Sequence, residues 1–136
     1  MLLFNEVLLI LDQTGLDPYL GFLHSLKYGK PSLALDVMEE FRPVIVDILV
    51  LNIINKGILK NDDFQDIDVD GEKGVYLSKD KLKTFFYHFN YRMETERFSD
   101  KAGKELSYRD IIKEQVYELI RFIETGENYS PFKLIR

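Results

Sequence analysis

Cysteine is absent from the sequence. Its absence excludes a disulfide scaffold, thiolate metal ligands and a cysteine nucleophile, and it fits a cytoplasmic protein. An excess of positive charge is lacking too: 18 Lys and Arg stand against 23 Asp and Glu, a formal net charge of −5. On its own that balance argues against nucleic-acid binding, which needs clustered cations to neutralise phosphates. Long apolar runs are also missing. The N-terminal one lacks a positively charged leader and carries Asn5, Glu6 and Asp12, so it does not read as a signal peptide; the run from Val44 to Ile54 is short and broken by Asp47 and Asn52. No membrane partner is expected. With 136 residues and 46% hydrophobic content, the chain can bury one sizeable core, and one domain is expected.

The charge average hides an asymmetry. Between Asn61 and Glu72 there are six acids and no base, whereas between Lys79 and Arg109 eight bases face five acids. A basic face can therefore persist on an acidic protein.

Hydrophobic periodicity predicts a mainly α, bundle-like domain with one small β-hairpin insertion. Residues 2–11 are apolar almost all round and predict a buried first helix without an N-terminal cap. Asp17 and Pro18 predict a second, short helix ending near Gly29, with His24 close to its end. Ser32 is placed to cap the next helix, with Leu35 and Met38 towards the core, and Pro43 kinks or restarts it before a close at Lys56-Gly57. From Lys79 to about Arg97, Leu82, Phe85, Phe86, Phe89 and Met93 recur at helical spacing, and His88 falls off that stripe. A last helix opens with a Ser107/Asp110 capping box, buries Ile112, Val116, Leu119, Ile120 and Ile123, and stops at Gly126.

"FQDIDVDGEKGVYLS" alternates on both sides of Asp70-Gly71, a hairpin signal. It also carries the first acids of a calcium loop, Asp66, Asp68 and Asp70, but Leu77 stands where the bidentate glutamate belongs, so a solvated acidic hairpin is the better reading.

Asp36, Glu39 and Glu40 stand at i, i+3 and i+4 on one helix surface. Such carboxylates can hold Mg²⁺ or Mn²⁺, and His24, folded back across the Gly29-Lys30-Pro31 turn, would tilt the choice towards Mn²⁺ or another transition ion. Three acids on a helix are more often a solvated face, and a lone histidine among aromatics is more often packed than ligating. Spacing alone leaves both readings open.

"TGLDPYLGFLHSLKYGKPSLALDVMEEFRPVIVD", Thr14 to Asp47, resembles the universal CRISPR-associated endonuclease and integrase family of spacer acquisition. The likeness continues through "NKGIL", "VYLSKDKLKTFFYHFNYRM", "SYRDIIKEQVYELIRFI" and the closing "YSPFKLIR", and so covers essentially the whole chain. The resemblance implies a helical catalytic domain whose divalent metal is held by one glutamate, one histidine and a further carboxylate. His24 matches the family histidine, Glu39 the second carboxylate, and Asp36 a nearby acid that assists. Lys30 matches a position near the DNA phosphates, with Lys27 and Arg42 added from proximity.

The family's first glutamate lies well upstream of its histidine, and Glu6 is too close to His24 to be that residue. The implied N-terminal β-rich domain and first catalytic-domain helices have no counterpart in residues 1–136. The chain is therefore expected to correspond to the C-terminal part, incomplete and inactive on its own. The implied reaction is attack of a DNA 3'-hydroxyl on a phosphodiester at a repeat end, and the implied partners are DNA, a second copy and a small second adaptation protein. The alternative is a non-catalytic module that binds adaptation proteins or DNA.

Overall fold

The computed structural model describes residues 1–20, 31–69 and 71–133. The elements run α1 (Leu2–Thr14), α2 (Ser32–Arg42), a π-helical turn (Pro43–Asp47), α3 (Ile48–Asn55), β1 (Phe64–Val69), β2 (Glu72–Leu77), α4 (Lys79–Met93), β3 (Glu96–Ser99), β4 (Lys104–Ser107) and α5 (Tyr108–Thr125). The domain is mainly helical as expected, with two antiparallel hairpins rather than one. None of the described helices is long and apolar enough to cross a membrane.

One core unites the helices. α1 buries Leu3, Val7, Ile10 and Leu11 against α2 and α5, at the i, i+4, i+7, i+8 spacing of a single helical face. Leu9 lies on the opposite side and is exposed, so α1 is covered on one face and not all round. α2 buries Leu33, Ala34, Val37 and Phe41. This corrects the expected core face: Met38 packs at its margin, and Leu35 is only half-buried. Pro31 holds the N-cap position and Ser32 is the first helical residue, where the sequence placed the cap at Ser32. Leu33 and Ala34 donate their N–H groups to the Pro18 carbonyl at 2.9 and 3.4 Å, which satisfies two orphan donors of the first turn.

At Pro43 the α-helix gives way to a π-helical turn, and a new α-helix starts at Ile48. Lacking an N–H, Pro43 cannot close the α-helical ladder, and the next turn widens to π geometry. Arg92 of α4 exploits the disturbance: its Nε donates to the Val44 carbonyl at 3.2 Å, its Nη2 also donates there, and Nη2 reaches the Tyr108 hydroxyl at 3.3 Å. The guanidinium lies 4.8 Å from the Tyr108 ring centroid. Burial pushes the Arg92 pKa below its ordinary value, and Tyr108 offsets part of that effect.

β1 and β2 pair from Phe64↔Leu77 to Val69↔Glu72. Gly71 takes φ 87°, and its N–H donates to Asp68 Oδ1 at 2.9 Å, so the turn is built as the sequence predicts. Asp66 and Asp68 sit on an extended strand facing Val75 and Lys73, which is not the wrapped geometry of a calcium loop.

α4 ends at Met93, earlier than expected, and only Phe89 and Met93 are fully buried on it, while Leu82 and Phe86 are exposed. Residues 96–107 then form the second hairpin, closed by a turn in which Gly103 takes φ 65°. In α5 the expected caps are present: Asp110 N–H donates to Ser107 Oγ at 3.1 Å, and Gly126 takes the left-handed conformation. Its buried face holds Ile111 and Gln115 beside Ile112, Val116 and Leu119, whereas Ile123 is exposed. Arg109 clamps α5 to α1 through paired bonds to Glu6 at 3.0 and 2.9 Å, and it also reaches Glu94. The Glu6 hydrogen bond raises the Arg109 pKa above its ordinary value, against a smaller desolvation effect.

Candidate metal centre and nucleic-acid interface

The π turn behind α2 and the Pro18 carbonyl in front of it fix the two ends of the helix that carries the expected ligands. Asp36 lies at the margin of the buried face and is 7% exposed. Glu39, one turn further on, is exposed and pairs with Arg42 at 3.4 Å. Glu40 turns the other way, towards the C-terminal segment, where both of its oxygens accept hydrogen bonds. The three carboxylates of α2 thus have three different environments.

His24, Lys27 and Lys30 lie outside the described residues. The flanking residues are described, and they meet at the N-terminal turn of α2. Asp17 Oδ1 accepts from the Tyr19 N–H at 2.9 Å, and the Pro18 carbonyl binds the N–H groups of Leu33 and Ala34. Pro18 is thereby held against the end of the helix that carries Asp36 and Glu39. The predicted helix after Pro18 is a turn as far as Leu20, and its remainder lies outside the described residues.

Among the described residues no three His, Asp or Glu gather closely enough to hold a metal ion. Asp36 and Glu39 supply oxygen donors at i, i+3, a set suited to a hard divalent cation such as Mg²⁺ or Mn²⁺. Two carboxylates alone make an incomplete centre.

Two concavities lie away from α2, and neither takes in Asp36 or Glu39. One, of about 390 Å³, runs between α3 and α4; Lys56 and Arg92 supply its positive charge, His88 lines it, Tyr87 and Tyr91 stand on its rim, and no carboxylate lines it. Tyr87 and Tyr91 are 65% and 69% exposed, and the Tyr87 ring meets His88 edge-on at 5.3 Å. Cations beside accessible aromatic rings are the elements of single-strand contact: phosphates pair with the former and bases stack on the latter. Sequence reasoning placed positive charge in this region but not the groove, because Lys56 comes from a different helix. The other, of about 500 Å³, lies between the β3–β4 hairpin, α5 and the C-terminal segment, where carboxylates Asp100 and Glu114 face Arg97, Lys101 and Lys133.

Among the described residues near α2, Tyr129 has a large shift. Burial first, and then its bond to Glu40, push its phenol far above the ordinary value. A raised pKa means that the folded state holds the proton longer than the unfolded state. The contribution is complete below about pH 10, the unperturbed tyrosine value, and is lost as pH rises above it. Between pH 9 and 11 the urea midpoint of the wild type is expected to fall more steeply than that of Tyr129→Phe. Parallel curves would contradict this.

Comparison with known proteins follows the same lines. The family described as "CRISPR associated protein Cas1" matches residues 1–91, which include all of α2 and the segment before it. The CRISPR-associated endonuclease Cas1 of Clostridium perfringens is 33% identical over 133 residues, 97% of this chain and 39% of that protein. A casposase bound to integration product superposes with a TM-score of 0.82 at 28% identity, over 98% of this chain and 39% of that one. A chain of a partial Cas6-RT-Cas1–Cas2 complex has the same fold at 22% identity, with a TM-score of 0.81 over 98% of this chain and 39% of that one. The chain spans about two fifths of the length of such curated relatives.

Proposed function

The chain belongs to the Cas1 family of CRISPR-associated proteins, and we propose that it is the C-terminal catalytic portion of a metal-dependent DNA endonuclease and integrase of spacer acquisition. The observation that carries this reading is the family match across residues 1–91, because it spans His24, Asp36 and Glu39 together. In this reading residues 1–136 are one helical domain that works beside a β-rich domain and the first catalytic helices supplied by the rest of a longer protein.

His24 and Glu39 would hold the divalent cation, Mn²⁺ or Mg²⁺, with Asp36 as the nearby acid that assists. When bound, that ion polarises a phosphodiester oxygen and stabilises the charge of an in-line displacement by a DNA 3'-hydroxyl. Lys30, Lys27 and Arg42 neutralise flanking phosphates. The α3–α4 groove adds cations and tyrosine faces for an unpaired strand. DNA is the substrate, a second copy and a small second adaptation protein are the partners, and none of these roles needs a covalent enzyme intermediate.

A site that lacks its upstream glutamate positions its metal loosely, and loose positioning removes most of the catalytic gain. The isolated chain is therefore expected to leave branched DNA uncut in Mn²⁺ while still binding it in a salt-sensitive way. Mn²⁺-dependent cleavage by this chain alone, abolished by His24→Ala, would contradict the missing-ligand account.

Arg42 supplies a finer test. Its exposed pair with Glu39 at 3.4 Å competes with any cation for the same oxygens. Such pairs are worth about 0.2–1 kcal/mol, so Arg42→Gln is expected to tighten Mn²⁺ binding by about 1.5- to 5-fold. The same change should weaken DNA binding. Weaker Mn²⁺ binding in the variant would show that Glu39 is not a ligand.

One observation favours a second reading, a non-catalytic interaction module. α3 buries only Leu49 and Ile53, and it leaves Val50, Leu51 and Ile54 exposed on its outer side. Clustered exposed apolar residues mark protein contacts. Absence of DNA binding at low salt would favour this reading over the catalytic one.

A further inference from the structure

Of the three carboxylates on α2, Glu40 is the one that neither the metal reading nor the DNA reading uses. We propose that Glu40 is a positioning residue: it ties the C-terminal segment to α2 and so sets the rotation at which α2 presents Asp36 and Glu39. The proposal rests on the metal reading given above.

Both Glu40 oxygens are committed. Oε1 accepts from the Tyr129 hydroxyl, and Oε2 accepts from the Phe132 N–H at 3.0 Å. These partners lie 89 and 92 residues further along the chain. Between them, the Ser130 carbonyl accepts from Gln115 Nε2 at 2.7 Å and from Lys101 Nζ at 2.8 Å. The Phe132 ring stacks on Phe41, the residue after Glu40, with centroids 4.8 Å apart. The segment from Tyr129 to Phe132 is thus a strap anchored on α5 and the second hairpin, and it holds α2 by one side chain and one ring.

α2 has particular need of such a hold. It is 11 residues long, has no side-chain cap at its start, and passes directly into the π turn at Pro43. Its ends are held by the Pro18 carbonyl and the π turn, and the strap adds the hold on the side that carries Glu40. Glu40 lies one turn beyond Asp36 and beside Glu39, so a rotation that broke the strap would carry both carboxylates with it. A carboxylate whose two oxygens already accept a phenol and a backbone N–H is also poorly placed to ligate a cation, which separates Glu40 from Asp36 and Glu39 in role.

The test uses the full chain, folded at low temperature, with Mn²⁺ binding read by electron paramagnetic resonance. Tyr129→Phe carries no possible ligand and removes only the strap bond, whereas Glu40→Ala removes both bonds. Loss of an outer partner of a metal ligand weakens affinity about tenfold or more. Glu40→Ala is therefore expected to raise the Mn²⁺ dissociation constant by about tenfold, Tyr129→Phe should raise it by at least about threefold, and exposed Tyr117→Phe should leave it unchanged. Lower melting temperatures with an unchanged dissociation constant would reduce the strap to a structural element and overturn the proposal. Loss of Mn²⁺ in Glu40→Ala without any change in Tyr129→Phe would make Glu40 a ligand and also overturn it. If the wild-type chain takes up no Mn²⁺, the metal reading itself fails and the positioning role falls with it. Amide exchange across α2 distinguishes the two failures: acceleration in Tyr129→Phe shows that the strap holds the helix even though no metal site follows from it.

Discussion

Phe41→Ala is expected to destabilise the fold by about 3–5 kcal/mol. Phe41 is fully buried and stacks on Phe132, so truncation opens a cavity between α2 and the C-terminal strap. For a chain of this size the melting temperature should drop by roughly 10–20 °C. Phe41→Leu, which keeps most of the volume, should cost about 1 kcal/mol. Urea denaturation of the two variants measures both values. A loss below about 1 kcal/mol for the alanine variant would mean that the ring contributes little to the cavity-sensitive packing expected of a core aromatic.

The second large effect is on Arg92. Arg92→Met removes a partly buried cation that satisfies the Val44 carbonyl and reaches the Tyr108 hydroxyl. Stranding an acceptor away from water costs about 1–3 kcal/mol, and loss of a charged hydrogen bond costs a similar amount. A net loss of about 2–3 kcal/mol is expected, since methionine keeps much of the packing. Arg92→Lys should recover little of it, because one ammonium cannot reproduce the planar fork that serves the carbonyl and the hydroxyl together. Full stability in Arg92→Lys would show that charge alone matters at the π turn.

These two sites show what could and could not be read in the sequence. The caps of α5 were legible because Ser107, Asp110 and Gly126 act on their own neighbours, and the acidic hairpin was legible because Asp70-Gly71 prescribes its turn. The interruption at Pro43 was legible for the same local reason. Its consequence was not, because Arg92 meets Val44 across 48 residues and leaves no periodic trace. The second hairpin was missed because "ERFS" and "KELS" are four-residue strands directly after a helix; Gly103 was the available signal. At the site, spacing placed Asp36, Glu39 and Glu40 on one surface but could not tell them apart. Burial of Asp36 and the strap at Glu40 are products of tertiary packing, whereas the Arg42 pair at Glu39 is an i, i+3 contact within α2 that the spacing allows. The exposed ends of the α4 and α5 stripes, Leu82, Phe86 and Ile123, have a similar cause: the apolar pattern runs beyond the elements that cover it.

The most direct test of the central claim is a Mn²⁺ titration of the folded chain beside His24→Ala, Asp36→Asn and Glu39→Gln. The account predicts weak but saturable uptake of one ion by the wild type, a drop of more than about tenfold in affinity for His24→Ala and Glu39→Gln, which each remove a ligand, and a smaller drop for Asp36→Asn, which removes the assisting acid. Equal uptake by all four proteins would contradict it, because the ion would then be held somewhere other than at α2 and the segment before it.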